Sequence, residues 1–213
     1  MRSKAEKTIR FQISSSSFST KRSVVCQIYA SVGEAPWIRN IDLQFSERPI
    51  PNFYKLAGKS AEVDYCIKDG DTINLDETFS IKVIGTAGHS VDEVSYEVED
   101  VMFVGDSIPV KGDIPIYVDF DASVRSLNRI REENRCKWFY PAWDTSYDYK
   151  MMLNKIDDAM KLMEEIDIVV KNVNNGTKNI QELEKQVCEV LKNPDLSSNP
   201  LFARTVMSHL NKK

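Results

Sequence analysis

Between residues 79 and 106 the sequence spells three strands in succession, and two of them run into a residue able to bind a metal. Phe79, Ile81 and Val83 alternate with Ser80 and Lys82, the period of two that predicts a half-buried strand. Val94, Tyr96 and Val98 alternate with Ser95 and Glu97 in the same way. After a turn at Glu99-Asp100 the run Val101-Met102-Phe103-Val104 is apolar on both faces, so a hairpin leading into a buried strand is expected. The first strand continues into Ile84-Gly85-Thr86-Ala87-Gly88-His89-Ser90, and the buried one into Gly105-Asp106-Ser107. Neighbouring strands bring their ends together, glycine lets the backbone approach a ligand closely, and imidazole with carboxylate is a donor set for zinc or iron. On chemistry alone, a turn histidine with a satisfied hydrogen bond and a turn or cap aspartate account for the same residues, because two donors make an incomplete site.

The flanks supply a framework for these strands. Residues 24–30, Val-Val-Cys-Gln-Ile-Tyr-Ala, suit a buried strand that ends before Gly33. Residues 33–60 carry Pro36, Pro49, Pro51 and Gly58 among scattered aromatics and predict an ordered surface loop with at most one short helix near residues 37–45. Lys68-Asp69-Gly70-Asp71 is a turn, and Thr72 to Leu75 a short strand. Asp121 or Ser123 is expected to cap a helix carrying Val124, Leu127 and Ile130, and residues 137–140 give another strand. Beyond it, Tyr149, Met152, Leu153, Ile156, Met160, Met163 and Ile166 form one apolar helical stripe. Ile180, Leu183, Val187 and Leu191 form a second, and Phe202, Val206 and Leu210 a third, after Asn199 as cap and Pro200 in the first turn.

With 213 residues the chain can bury one sizeable core plus a helical appendage. We divide it into an irregular segment 1–23, a core at 24–145 and a helical region at 146–213. The first segment is basic and serine-rich, with Arg2, Lys4, Lys7, Arg10, Lys21 and Arg22 against the single acid Glu6. An organelle transit peptide shares that composition, and so does a poorly ordered terminus. A net charge of -4 removes the basic footprint of a nucleic-acid binder, and no apolar run reaches the ~20 residues that span a bilayer. Cys26, Cys66, Cys136 and Cys188 lie far apart with no C-x-x-C pair, and read as reduced cysteines of a cytoplasmic protein.

The segments Thr86-Ala87-Gly88-His89-Ser90, Val94-Ser95-Tyr96 and Val101 to Asp106, preceded by the Lys68 to Asp71 turn, together resemble the second-half signature of the metallo-β-lactamase superfamily. The resemblance covers about residues 24–145. It implies an α/β (α+β) fold, an αββα sandwich, here incomplete at the N-terminal half and carrying a C-terminal helical appendage. It also implies that His89 is a metal ligand, that Asp106 bridges two metals, and that Ser90 neighbours the site. The family's H-x-H-x-D-H motif is absent, and the chain has two histidines in all. Where the family places its last histidine ligand, this sequence reads Tyr140-Pro141-Ala142-Trp143-Asp144. Asp144 is therefore a third candidate ligand, although a cap for the following helix is the expected role. His209 is expected as an interfacial or exposed residue of the last helix.

The resemblance implies metal-dependent hydrolysis of an ester, thioester, lactam or phosphodiester, with zinc or iron in a weak or partial site. Two donors do not meet the three-ligand requirement of a hydrolytic ion, so little activity is expected of this chain by itself. Removing the family's first half would also uncover one sheet face. A homo-oligomer, or a partner covering that face, is then expected. The alternatives are a non-catalytic module whose methionine-rich helices dock a partner, and a truncated gene product.

Overall fold

The computed structural model describes residues 10–11, 27–174, 176, 179–197 and 199–211. The expectations for the remainder of segment 1–23 and for residues 24–26 lie outside the described residues.

Two sheets stack face to face. The first joins β1 (Arg10–Phe11), β2 (Ile28–Ser31) and β3 (Tyr65–Ile67), all parallel and in that order. The second runs in chain order through β4 (Thr72–Asn74), β5 (Ser80–Gly85), β6 (Val94–Val98), β7 (Val101–Gly105), β8 (Trp138–Pro141) and β9 (Tyr147–Asp148). Its neighbours are antiparallel except β7 and β8, which the helix α4 (Phe120–Glu132) links as a parallel pair. A parallel pair needs such a crossover because both strands must be entered from the same end.

Pairing of Val83 with Tyr96 and Ile84 with Ser95 assigns successive residues to opposite faces. Ile84, Met102, Val104 and Phe139 pack with Leu127 and Ile130 of α4 and with Met152, Ile156, Ala159 and Met163 of the long helix α5 (Tyr149–Val173). The other face sends Ile73, Ile81, Val83 and Tyr96 against Ile67 of the first sheet. Behind that sheet, Ile28 and Ala30 meet Ala35 and Ile38 of α1 (Ala35–Arg39). The layers are thus helix, sheet, sheet, helix, the expected sandwich, with a first sheet of three short strands among the described residues. Helices α6 (Ile180–Val190) and α7 (Pro200–Leu210) close a further core with the end of α5, through Val170, Leu183, Val187, Phe202 and Val206. No helix among the described residues is long and apolar enough to cross a membrane.

Several expectations need correction. Residues 33–60 hold three short helices: α1, α2 (Ile41–Glu47) and α3 (Phe53–Ala57). Asn40 makes α2 possible, because its side chain accepts from the backbone N–H of Asp42 and of Leu43 at the helix start. Asp119, not Asp121 or Ser123, caps α4, accepting from Ala122 N–H at 2.8 Å. Phe79 precedes β5 and is exposed, and Leu210 is exposed at the end of α7. His209 is buried. Its ring lies between the Tyr117 hydroxyl at 2.8 Å and Asp167 at 3.1 Å, which ties α7 to α5. The methionines at 152 and 163 are core residues, so that part of the stripe packs inward onto the domain.

Candidate functional site

The strand ends of β5 and β7 deliver the two predicted donors to one place. After β5 the chain must turn under helix α4, and only glycine fits where it does so. Gly88 has φ +146°, and a Cβ there would fall 2.3 Å from Ser123 Oγ and 2.8 Å from Ser123 N. Its carbonyl accepts from the N–H groups of Val118 and Asp119 at 2.7 and 3.3 Å, pinning the turn to the entry of α4. After β7, Gly105 takes φ +58° and turns the chain into Asp106.

His89 Nε2 then stands 3.9 Å from Asp106 Oδ2, both side chains being about nine-tenths buried. His89 Nδ1 lies 3.0 Å from the Ile116 carbonyl, which can only accept, so Nδ1 carries the proton and Nε2 presents its lone pair. Burial, then the nearby Arg48 charge, lowers the His89 pKa to about 4, against the Ile116 hydrogen bond, which favours the charged ring. The ring is neutral at pH 7, and its approach to Asp106 is not an ion pair. Burial raises Asp106 to about 6, opposed by a hydrogen bond from Trp143 and by Arg48.

Three residues that the sequence reading did not single out complete this environment. Glu93 is buried and accepts from the Asp106 backbone N–H at 3.1 Å; burial, then the Asp106 charge, pushes its pKa well up. Glu34 accepts from the Ser90 hydroxyl and is also raised by burial. Arg48 lines the same cavity as His89 and Asp106, a space of about 480 Å³ walled largely by apolar side chains such as Phe53, Ile108 and Leu201. No local signal marks these three, since each is a lone charge at a loop or helix end.

Asp144 reaches the cavity wall but is committed elsewhere. It accepts from Lys155 Nζ at 2.7 Å, Tyr147 Oη at 2.6 Å and Thr145 N at 2.7 Å, and Lys155 above all holds its carboxyl well below the usual range. The cap of α5 is Asp148, which accepts from Met151 N–H, and not Asp144 as expected. Among the described residues, no group of three or more His, Cys, Asp or Glu is placed to hold one ion. A resident hydrolytic zinc needs three protein donors. The described residues offer two that converge, so they do not by themselves fit such an ion.

No protein-family model matches the sequence, and a comparison with curated proteins finds no match. Solved structures do match. A metallo-beta-lactamase family protein from Thermus thermophilus superposes with TM-score 0.64 at 14% identity, over 87% of this chain and 65% of that one. A beta-lactamase domain protein from Burkholderia ambifaria gives 0.64 at 13% identity, over 87% and 58%. An archaeal metallo-beta-lactamase superfamily protein from Sulfolobus tokodaii gives 0.54 at 19% identity, over 85% and 70%. The chain has the metallo-β-lactamase fold. It spans just under two thirds of the length of the Thermus protein.

Proposed function

We propose that this chain carries half of a metallo-hydrolase centre: His89 and Asp106 are two donors for one zinc or iron ion, bound weakly, and the chain alone hydrolyses its substrate poorly. The observation that supports it is the convergence of a lone-pair nitrogen and a buried carboxylate, 3.9 Å apart, in a cavity within the metallo-β-lactamase fold. Ile116 fixes the tautomer that a metal-binding imidazole needs, as a carbonyl behind a ligand histidine does in metalloproteins generally. With two donors, affinity falls far below the ~10–16 kcal/mol of complete structural zinc sites.

The test is zinc, iron and manganese per chain after dialysis against a weak chelator, for wild type, His89→Ala and Asp106→Ala. Sub-stoichiometric metal in wild type, reduced in both variants, with little turnover of ester or phosphodiester probes, is expected. Metal content unchanged in both variants would overturn the reading.

A second reading rests on a different observation. Phe103 stacks on Tyr140 at 5.5 Å, Trp138 is paired in register with Val101, and Trp138 and Tyr140 are 46% and 41% exposed. These side chains lie on the face of the second sheet that turns away from α4 and α5, so we propose self-association there. Light scattering on wild type and Trp138→Glu checks it, and a monodisperse wild-type monomer counts against it.

A further inference from the structure

A second cavity, of about 280 Å³, shares Arg48 with the first but differs in chemistry. Two guanidinium groups line it, Arg48 just past the end of α2 and Arg204 on α7, together with Asn211, Ser90, Ser208 and the Trp37 ring. Among the described residues no carboxylate lies within 4.0 Å of either guanidinium. Arg129, Arg131 and Arg135, by contrast, each hold an acidic partner.

We propose that this cavity binds a phosphate group between Arg48 and Arg204. Two half-buried like charges facing one space repel, and a shared anion removes that repulsion. Each guanidinium presents a fork of N–H donors matched to two oxygens of one anion. A carboxylate has two oxygens and satisfies one fork; a phosphate group has three or four and serves two forks from opposite sides. The carboxylate that also lines the cavity, Glu47, accepts from the Trp37 indole N–H at 2.6 Å and is engaged there. The hydroxyls of Ser90 and Ser208 are likewise engaged, donating to Glu34 and to the Thr205 carbonyl. Among the described residues, the guanidinium groups and the Asn211 amide are left as the donors for a ligand. Burial and the Arg48 charge both lower the proton affinity of Arg204; Arg48 feels the acids Glu34, Glu93 and Asp106, whereas no acid among the described residues offsets the charge of Arg204. The volume exceeds that of a phosphate ion and leaves room for a small organic body.

The experiment is isothermal titration of the full chain with inorganic phosphate, phenyl phosphate and acetate, at an ionic strength held constant with sodium chloride, with chelator present. Saturable phosphate binding is expected, weakened at least tenfold in Arg204→Gln and in Arg48→Gln, and partly retained in Arg204→Lys. Should Arg48→Gln fail to fold, Arg204→Gln decides alone, because Arg204 is only half-buried on α7. Tighter binding of phenyl phosphate identifies a phosphomonoester as the ligand, and equal binding identifies the free anion. Phosphate heats no larger than those of sodium chloride, acetate binding as tight as phosphate, or an Arg204→Gln variant that binds like wild type would each overturn the proposal.

Discussion

In the metal-free chain, His89 and Asp106 act on stability in opposite directions as the pH falls. The His89 pKa drops from an ordinary 6.5 to about 4 on folding, so between those values the unfolded chain holds a proton that the folded chain refuses. Stability is then lost as pH falls through that window, because the unfolded state binds more protons. Asp106 runs the other way. Its pKa rises from 3.8 to about 6, so the folded chain takes up the proton first, and stability is gained as pH falls from about 6 towards 3.8. At ~1.4 kcal/mol for each tenfold change in proton affinity, either effect amounts to about 3 kcal/mol. In wild type the two nearly cancel. Asp106→Asn removes the gain and His89→Gln removes the loss; Glu34 and Glu93, also raised by burial, titrate in both, and Glu93 is raised less once the Asp106 charge is gone. Urea unfolding in chelator at pH 7.5 and pH 4 should therefore show Asp106→Asn changing by about 6 kcal/mol more unfavourably than His89→Gln on going to pH 4. With a slope near 2 kcal/mol per molar urea, the midpoints of the two variants diverge by about 2–3 M. Parallel pH profiles in the two variants, or an NMR titration of His89 centred near 6.5, would refute the reasoning.

Gly88→Ala should destabilise by about 2–5 kcal/mol, from backbone strain plus the clash with Ser123, whereas Gly112→Ala, which has positive φ but open space around it, should cost only the strain of about 1–2 kcal/mol. Thermal unfolding of the pair checks this, and equal costs would remove the clash from the account. Asp144→Asn should lower stability by about 1–2 kcal/mol at pH 7 while leaving metal content unchanged, because its partners are Lys155 and Tyr147. The folded pKa being depressed, that cost is full above the unfolded value near 4 and fades as pH falls below it, which denaturation at pH 7 and pH 3 will show. His209→Ala should cost about 2–4 kcal/mol by opening a space between Tyr117 and Asp167, measured by urea unfolding, and a cost under 1 kcal/mol would contradict its place in the core.

What could be read from the sequence was whatever local patterning decides. Period two gave β5 to β7, the glycines gave the turns at their ends, and those turns brought His89 and Asp106 together. Period 3.6 gave α5 to α7, down to the Asn199 cap. Elsewhere the deciding partner lies far along the chain. Asp144 is set by Lys155, eleven residues on, and His209 by Asp167 and Tyr117, 42 and 92 residues away. Residues 33–60 read as loop because three helices of five to seven residues are too short to show a period, and a side-chain cap rather than a stripe starts the second. Arg48, Glu34 and Glu93 carry no pattern at all, since Arg48 matters through the cavity it lines and the two acids through distant partners, Ser90 for Glu34 and the Asp106 N–H for Glu93.

The helices beyond residue 146 bear directly on the donor pair. His89 is oriented by the Ile116 carbonyl, and the segment carrying that carbonyl is clamped from α7. Thr205 Oγ1 donates to the Pro115 carbonyl at 2.8 Å and accepts from the Tyr117 N–H at 3.1 Å, one residue to either side of Ile116. His209, one turn further along α7, holds the Tyr117 hydroxyl and is itself held by Asp167 of α5. The Gly88 carbonyl is fixed by Val118 N–H from the same segment, so both the backbone entering His89 and the ring nitrogen behind it depend on residues 115–118. A buried clamp of this kind costs little further ordering once the helices have packed, because Thr205 and His209 are already buried in the core. The Nε2 of His89 is therefore held 3.9 Å from Asp106 by a path of hydrogen bonds that starts in α5 and α7, outside the stretch of sequence that carries the two donors.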